Sequence, residues 1–167
     1  MLPLPTLPAS TGLSHMATST TSFYSVRFEA QPPLLRGVVQ RPMSIPEFME
    51  ACEMLHHAAQ QHRCPFWLLD GRADSAEIRP LDVYTWLTDE FLPQVRQSLG
   101  RLPCLAFIAQ PGFWQALQAR HYAQPRPMQL SPTFWVNWFT TEAEALAWLH
   151  QFRTWPEDNA GEPLCLN

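Results

Sequence analysis

The chain contains no lysine; its 11 basic residues are all arginine. That excludes a lysine Schiff base, a lysine general base and the lysine of a P-loop. Glycine is scarce too, six residues spread singly, so no glycine-rich loop is present to cradle a phosphate. The four cysteines, Cys52, Cys64, Cys104 and Cys165, form no CxxC pair. No apolar run approaches the ~20 residues that cross a bilayer, and no basic segment followed by an apolar one opens the chain. Neither membrane insertion nor a signal peptide is therefore expected. Free, mostly buried thiols in a reducing cytoplasm are the simplest reading. The net charge of −4 has the wrong sign for a nucleic-acid surface, so no nucleic-acid partner is expected.

Aromatic side chains, by contrast, are abundant: 12% of the residues, with seven tryptophans. They must fill a core, line a pocket or cover an interface. A chain of 167 residues fits one domain. It can bury roughly two-thirds of the surface its unfolded form exposes, so no disulfide or metal staple is required. Residues 1–22 are rich in Pro, Ser and Thr and read as a disordered leader, with Met16 a candidate alternative start. Residues 154–167 read as a loose tail. The patterned domain is 23–153.

Within it, Tyr24, Val26 and Phe28 alternate with polar residues, the period-2 signature of a half-buried strand, and Leu34 to Gln40 reads as its hairpin partner. Ser44 followed by Glu47 is a capping box, with Pro46 tolerated in a first turn, and predicts a helix over 45–62. Cys64 to Asp70 reads as a buried strand. A helix over Pro80 to Leu99 follows, with Gly100 at its C-terminal cap and Pro93 kinking or splitting it near residue 92. Leu102 to Ala109 is a further buried strand, Phe113 to Tyr122 a short helix, and a Pro-rich loop leads on to Pro132. Phe134 to Phe139 is the last strand, and Thr141 with Glu144 caps a final helix. The order ββαβαβ(α)βα predicts an α/β fold. Its sheet is mixed and mainly parallel, with an N-terminal antiparallel hairpin and helices packed on it.

Three stretches carry a resemblance. Trp67-Leu68-Leu69-Asp70-Gly71-Arg72, Trp86-Leu87-Thr88-Asp89-Glu90-Phe91-Leu92-Pro93, and Phe139 followed by Glu144-Ala145-Leu146-Ala147-Trp148-Leu149 resemble the SpoIIAA-like proteins. That family is related to STAS domains (sulfate transporter and anti-sigma factor antagonist) and shares a fold with lipid-binding SEC14 domains. The resemblance covers roughly residues 23–152. It implies a bacterial cytoplasmic setting, a regulatory or ligand-binding role through a protein partner or a homodimer, and no established activity. In anti-sigma antagonists a phosphorylatable Ser opens the helix after a central strand, within Asp-Ser-Ser/Thr-Gly. Asp74-Ser75 matches the first half of that motif; the following Ser/Thr and Gly are missing. Phosphorylation there would add about −1.5 to −2 charge. A plain Asx/Ser turn is the alternative reading.

Other candidates carry their own alternatives. Asp70 leaves a buried strand at the sheet edge where α/β domains place ligands, and with Asp74, Arg72 and His121 it could form a polar cluster for acid–base work. Equally, Asp-Gly is a common strand exit and Arg72 can neutralise the carboxylate. His56, His57 and His62 suggest a metal, but positions 57 and 62 lie about 140° apart on a helix and 56 and 62 about 120°, so they do not converge. Cys52 and His56 share a face yet supply only two ligands. No metal and no cofactor are expected. Trp135, Asn137 and Phe139 share one face of the last strand; Phe134, Val136 and Trp138 share the other. With Phe113 and Trp114 these residues border an apolar pocket, pack a core or cover a dimer interface. The leading expectation is a non-enzymatic regulatory or protein-interaction module of STAS/SpoIIAA-like type; the alternative is a protein that binds a small apolar ligand or lipid in an aromatic pocket.

Overall fold

The computed structural model describes residues 18–75, 77–121 and 129–153. Strands β2 (Tyr24–Ala30) and β3 (Pro33–Val39) form the expected hairpin, with Tyr24 opposite Val39 and Ala30 opposite Pro33. Ahead of them β1 (Thr18–Thr20) pairs antiparallel with β2, Thr18 opposite Arg27. This short polar strand falls inside the stretch expected as a leader, so sheet pairing begins before Phe23. Residues 1–17 of that leader, and the tail 154–167, lie outside the described residues.

Next come β4 (Phe66–Asp70) and β5 (Cys104–Ile108), then β6 (Gln129–Leu130) and β7 (Trp135–Phe139). The sheet runs β1-β2-β3-β4-β5-β7-β6; β3, β4, β5 and β7 are mutually parallel, and β6 pairs antiparallel on the outer edge. This is the mixed, mainly parallel sheet that the sequence predicts. Its central strands are nearly continuous apolar runs because helices cover both faces. Trp67, Leu68, Leu69, Leu105, Ala106 and Ile108 are all buried.

Helix α1 (Ile45–His62) begins where the capping box places it. Ser44 Oγ accepts the Glu47 N–H at 3.4 Å, and Glu47 Oε2 accepts the Ser44 N–H at 2.9 Å. Arg41 also holds the Glu47 carboxylate, and with the cap it draws that group down to about 2. At the other end Arg63 adopts a left-handed φ of 49° and closes the helix onto the Ala59 carbonyl.

The long helix predicted over 80–99 is broken in three. Helix α2 (Leu81–Trp86) passes into a π-helical turn, Leu87–Phe91, and then α3 (Leu92–Leu99). Pro93 has no N–H to donate, and the ladder crosses this point by a five-residue step from Leu92 N–H to the Leu87 carbonyl. Gly100, at φ 66°, caps the end. Two further helices follow among the described residues, α4 (Phe113–Ala119) and α5 (Glu142–Arg153). Thr141 Oγ1 caps α5 by accepting the Glu144 N–H at 3.4 Å.

Helix α5 covers one face of the sheet, packing Ala145, Trp148, Leu149 and Phe152 against Leu68, Ala106 and Ile108. Helices α1 and α3 cover the other, with Cys52, Leu55, Phe91 and Val95 against Trp67, Leu69 and Leu105. Trp67 is completely buried, and its indole N–H is satisfied by the Cys64 carbonyl at 3.0 Å. Among the described residues no helix is long and apolar enough to cross a membrane.

Candidate functional site

The period-2 alternation of the strands turns Tyr24, Leu69, Phe107, Val136 and Trp138 toward the α1/α3 face of the sheet. Over this face the helices do not close completely. They leave a cavity of about 380 Å³, walled by these residues, by Phe48, Cys52 and Leu55 of α1, by Leu87, Thr88 and Phe91 of the π turn, and by α4. Its size falls in the range of small-molecule pockets, roughly 300–1,000 Å³.

Two features of the sequence hold the space open. Helix α4 rests on the sheet through large rings: Phe113 and Trp114 stand 5.3 and 6.2 Å from Trp138, which in turn stands 4.6 Å from Phe107. These rings act as spacers. The π turn is the second, because its extra residue per turn widens the helix just where Leu87, Thr88 and Phe91 meet the cavity.

The polar groups are gathered where the chain leaves β4. Asp70 is gripped by its neighbour Arg72, Nε to Oδ1 at 2.9 Å and Nη2 to Oδ2 at 2.6 Å, and this hydrogen-bonded pairing holds its carboxyl below the usual range. Asp74 takes the Met43 N–H on one oxygen at 3.1 Å and Arg79 Nη2 on the other at 2.7 Å. The Arg79 guanidinium in turn lies 4.5 Å above the Phe48 ring. Gly71 matters here for what it omits: a Cβ would come within 2.9 Å of Phe107 Cε1. Inside the cavity the titratable walls are muted. Burial, aided by Glu53, pushes the Cys52 thiol up to about 12, and burial raises Tyr24 well above the ordinary phenol. Two donors on the wall, Trp138 Nε1 and Arg79 Nε, are buried without a hydrogen-bond partner among the described residues.

Of the residues singled out from sequence, Asp70, Asp74, Ser75, Trp114 and Trp138 meet at this cavity. Arg72 stands outside it, exposed, as the clamp on Asp70. Trp135 and Asn137 belong to the opposite face. Trp135 packs 4.7 Å from Phe152 of α5, and Asn137 Oδ1 accepts the Trp138 backbone N–H at 2.8 Å. Ser75 stands six positions ahead of α2; its Oγ accepts the Glu77 N–H at 3.1 Å, and its own N–H reaches Asp74 Oδ1 at 2.8 Å. That is the geometry of an Asx/Ser turn, not of a residue opening a helix. His121 is exposed and lies off the cavity wall.

Compared with protein-family models, curated proteins and solved structures, the chain has no match.

The three helix histidines go separate ways. His56 is buried with Nε2 2.8 Å from Ser98 Oγ, and His62 stacks on Phe28 at 4.0 Å. Among the described residues no three His, Cys, Asp or Glu side chains gather as a metal site. Sequence reasoning missed Arg79, Phe107, Phe48 and Tyr84 as wall residues. Each reads as ordinary core or loop, and only the packing of several segments brings them together.

Proposed function

We propose that the protein binds a small, predominantly apolar molecule in the cavity between the sheet and helices α1 and α4. The observation that carries this reading is the cavity itself: about 380 Å³ walled mainly by aromatic and aliphatic side chains, with a polar rim at Asp70, Asp74 and Arg79, in a chain of this size. A core that had merely collapsed would fill such space, since protein interiors pack as densely as organic crystals. Binding fits the wall better than catalysis does. Asp70 and Asp74 are each engaged by an arginine, and the Cys52 thiol is held protonated at neutral pH. Three buried free thiols suit a reducing compartment, and a cytoplasmic setting is part of this proposal.

The test uses a neutral fluorophore whose emission shifts blue in apolar surroundings, a propionyl-dimethylaminonaphthalene, together with the cavity-filling variant Ala116→Phe. Saturable one-to-one binding by the wild type, lost in a variant that melts no lower, is the expected result. Failure of the folded wild-type protein to bind any neutral apolar probe removes the proposal.

A second reading, a STAS/SpoIIAA-like module acting on a protein partner or on itself, has one observation in its favour. Ile45 and Met49, both 39% exposed, are one turn apart on α1 and show apolar surface to solvent. Light scattering on the wild type and on Ile45→Ser/Met49→Ser checks it; a wild type that stays monomeric at high concentration counts against self-association.

A further inference from the structure

We infer that the cavity takes a neutral apolar molecule carrying one hydroxyl or carbonyl oxygen, and that the Tyr24 hydroxyl, laid across β3 over Gly37, is the group that hydrogen-bonds it. This rests on the binding reading above and narrows it.

Gly37 directs the hydroxyl. Tyr24 stands on β2 opposite Val39, two residues along β3 from Gly37. Its ring lies across β3, and Oη occupies the place that a Cβ at residue 37 would need. Leu69 Cδ2, from β4, comes within 3.0 Å of that same point. The hydroxyl end of the ring thus points from the outer hairpin toward the middle of the sheet. Leu69, Phe107 and Trp138 continue the cavity floor in that direction, on β4, β5 and β7. Glycine within a strand marks a place where another group comes close, and here that group is the phenol oxygen.

The hydroxyl is also unengaged. Tyr24 is 4% exposed, and its two bonds with Thr21 both use its backbone atoms. Among the described residues Oη has no hydrogen-bond partner. A buried hydroxyl nearly always has one, so its lack calls for a reason. The indole nitrogens of Trp138 and Trp148 are sealed off by their neighbours; Tyr24 Oη is not. On a residue so deeply buried, the surface left to that oxygen faces the cavity the residue lines. A water can serve the hydroxyl in the unliganded protein, and a ligand oxygen takes its place.

Charge sets the class. Burial keeps the phenol protonated at neutral pH, and the Cys52 thiol with it. Asp70 and Asp74 already have their arginines, so these groups leave no anion for an ammonium and no unengaged cation for a carboxylate. A charge buried without a counterion is costly; a neutral oxygen avoids that cost. A phenol both donates and accepts, so a hydroxyl or a carbonyl answers it, while the aromatic wall takes the hydrocarbon remainder.

The experiment compares three molecules of nearly one shape: naphthol, methylnaphthalene, in which a methyl replaces the hydroxyl, and naphthoate. Each displaces the naphthalene fluorophore of the earlier test, whose own affinity is first measured for each protein. Tyr24→Phe keeps the ring and loses the oxygen. It should bind methylnaphthalene as the wild type does, which also shows that the wall is intact. The preference for naphthol over methylnaphthalene should fall about tenfold in the variant, and naphthoate should bind the wild type more weakly than naphthol. A measurement on the wild type alone uses tyrosine labelled with carbon-13 at Cζ. Of the three tyrosine resonances, the one absent from Tyr24→Phe should move with naphthol and stay in place with methylnaphthalene. A preference that changes less than threefold in Tyr24→Phe, an unmoved Tyr24 resonance, or tightest binding of naphthoate overturns the inference while the apolar-binding reading stands. Absence of binding by all three ends both.

Discussion

Arg79 Nη2 lies 2.7 Å from Asp74 Oδ2, with both side chains only 12% exposed, so the loop from β4 to α2 is fastened by a nearly buried ion pair. The second oxygen of Asp74 receives the Met43 N–H at 3.1 Å, which ties the same loop to the chain just ahead of α1. One carboxylate thus holds the polar rim of the cavity to the helix that forms one of its walls. Asp74→Ala would leave the Arg79 charge without its partner and the Met43 N–H without its acceptor. Removing one member of a buried pair costs about 3–5 kcal/mol, whereas replacing both with apolar groups costs far less. Urea unfolding should therefore show Asp74→Ala/Arg79→Met more stable than Asp74→Ala alone. Equal stabilities would mean that the pair is solvated in solution.

Gly37 gives a second prediction. It lies on β3 two residues from Val39, the partner of Tyr24, and so shares a sheet face with the Tyr24 ring. A Cβ at this position would collide with Tyr24 Oη, come within 2.9 Å of Tyr24 Cζ and within 3.0 Å of Leu69 Cδ2. Tyr24 is 4% exposed and has no room to swing except toward the cavity it borders. Overpacking of this kind costs about 1–3 kcal/mol. Gly37→Ala should lose stability in that range and bind apolar probes more weakly than the wild type; unchanged stability in a urea titration would contradict the packing.

Much of this architecture is legible in the sequence, and the boundary has physical causes. Local grammar is carried by neighbours a few residues apart, so Ser44 with Glu47, Thr141 with Glu144, Gly100 and Pro93 mark helix ends and the break near residue 92 correctly. The edge strands β1 and β6 escape notice for the opposite reason. Thr18–Thr20 is short, polar and exposed throughout, which leaves no alternation to detect, and Gln129–Leu130 is only two residues long, next to prolines in the sequence. For the site, strand parity alone separates Trp138 from Trp135 and Asn137, because adjacent residues point to opposite faces. Which face carries a cavity is a property of the assembled helices, and nothing local encodes it. Arg79 shows this best: it precedes a proline-led helix and gives no sign in sequence that it will stack on Phe48 from more than thirty positions earlier in the chain.

Gly71 allows a sharper test of the cavity wall. Its N–H donates to the Ile108 carbonyl at 2.8 Å, which fixes the backbone where β4 ends against β5. With that hydrogen bond in place, an added Cβ presses on Phe107 Cε1 at 2.9 Å, while the Ile108 carbonyl, at 3.5 Å, is in ordinary contact. The ring must give way, and Trp138 stands beside it at 4.6 Å. Gly71→Ala is expected to weaken probe binding severalfold with a stability loss of about 1–2 kcal/mol. Parallel fluorescence titration and thermal melting measure the two effects. Intact affinity would place the ligand away from the Phe107–Trp138 wall.

His56 supplies a pH dependence whose sign follows from burial. Its ring, 6% exposed, lies between α1 and α3 with Nε2 2.8 Å from Ser98 Oγ, and the Ser98 hydroxyl donates onward to the Val95 carbonyl at 2.9 Å. Ser98 therefore accepts, and the ring N–H donates. Desolvation lowers the pKa of His56 below that of an ordinary histidine; the charge of His57 pushes the same way, while Glu53 opposes it. In the unfolded chain the ring titrates near 6.5. Above that pH both states are neutral and the residue contributes no slope. As the pH falls below about 6.5 the unfolded chain takes up a proton that the folded one resists, and stability declines until the folded pKa is passed. The wild type should thus lose stability between pH 7 and 5 faster than His56→Gln, in which the titrating ring is gone while an amide donor can still face Ser98. Chemical denaturation at half-unit pH steps reads this as a fall, on acidification, in the wild-type stability minus that of the variant, whatever the absolute stabilities. Parallel curves for the two proteins would mean that His56 is hydrated in solution and that the α1–α3 contact is looser than the 2.8 Å hydrogen bond implies.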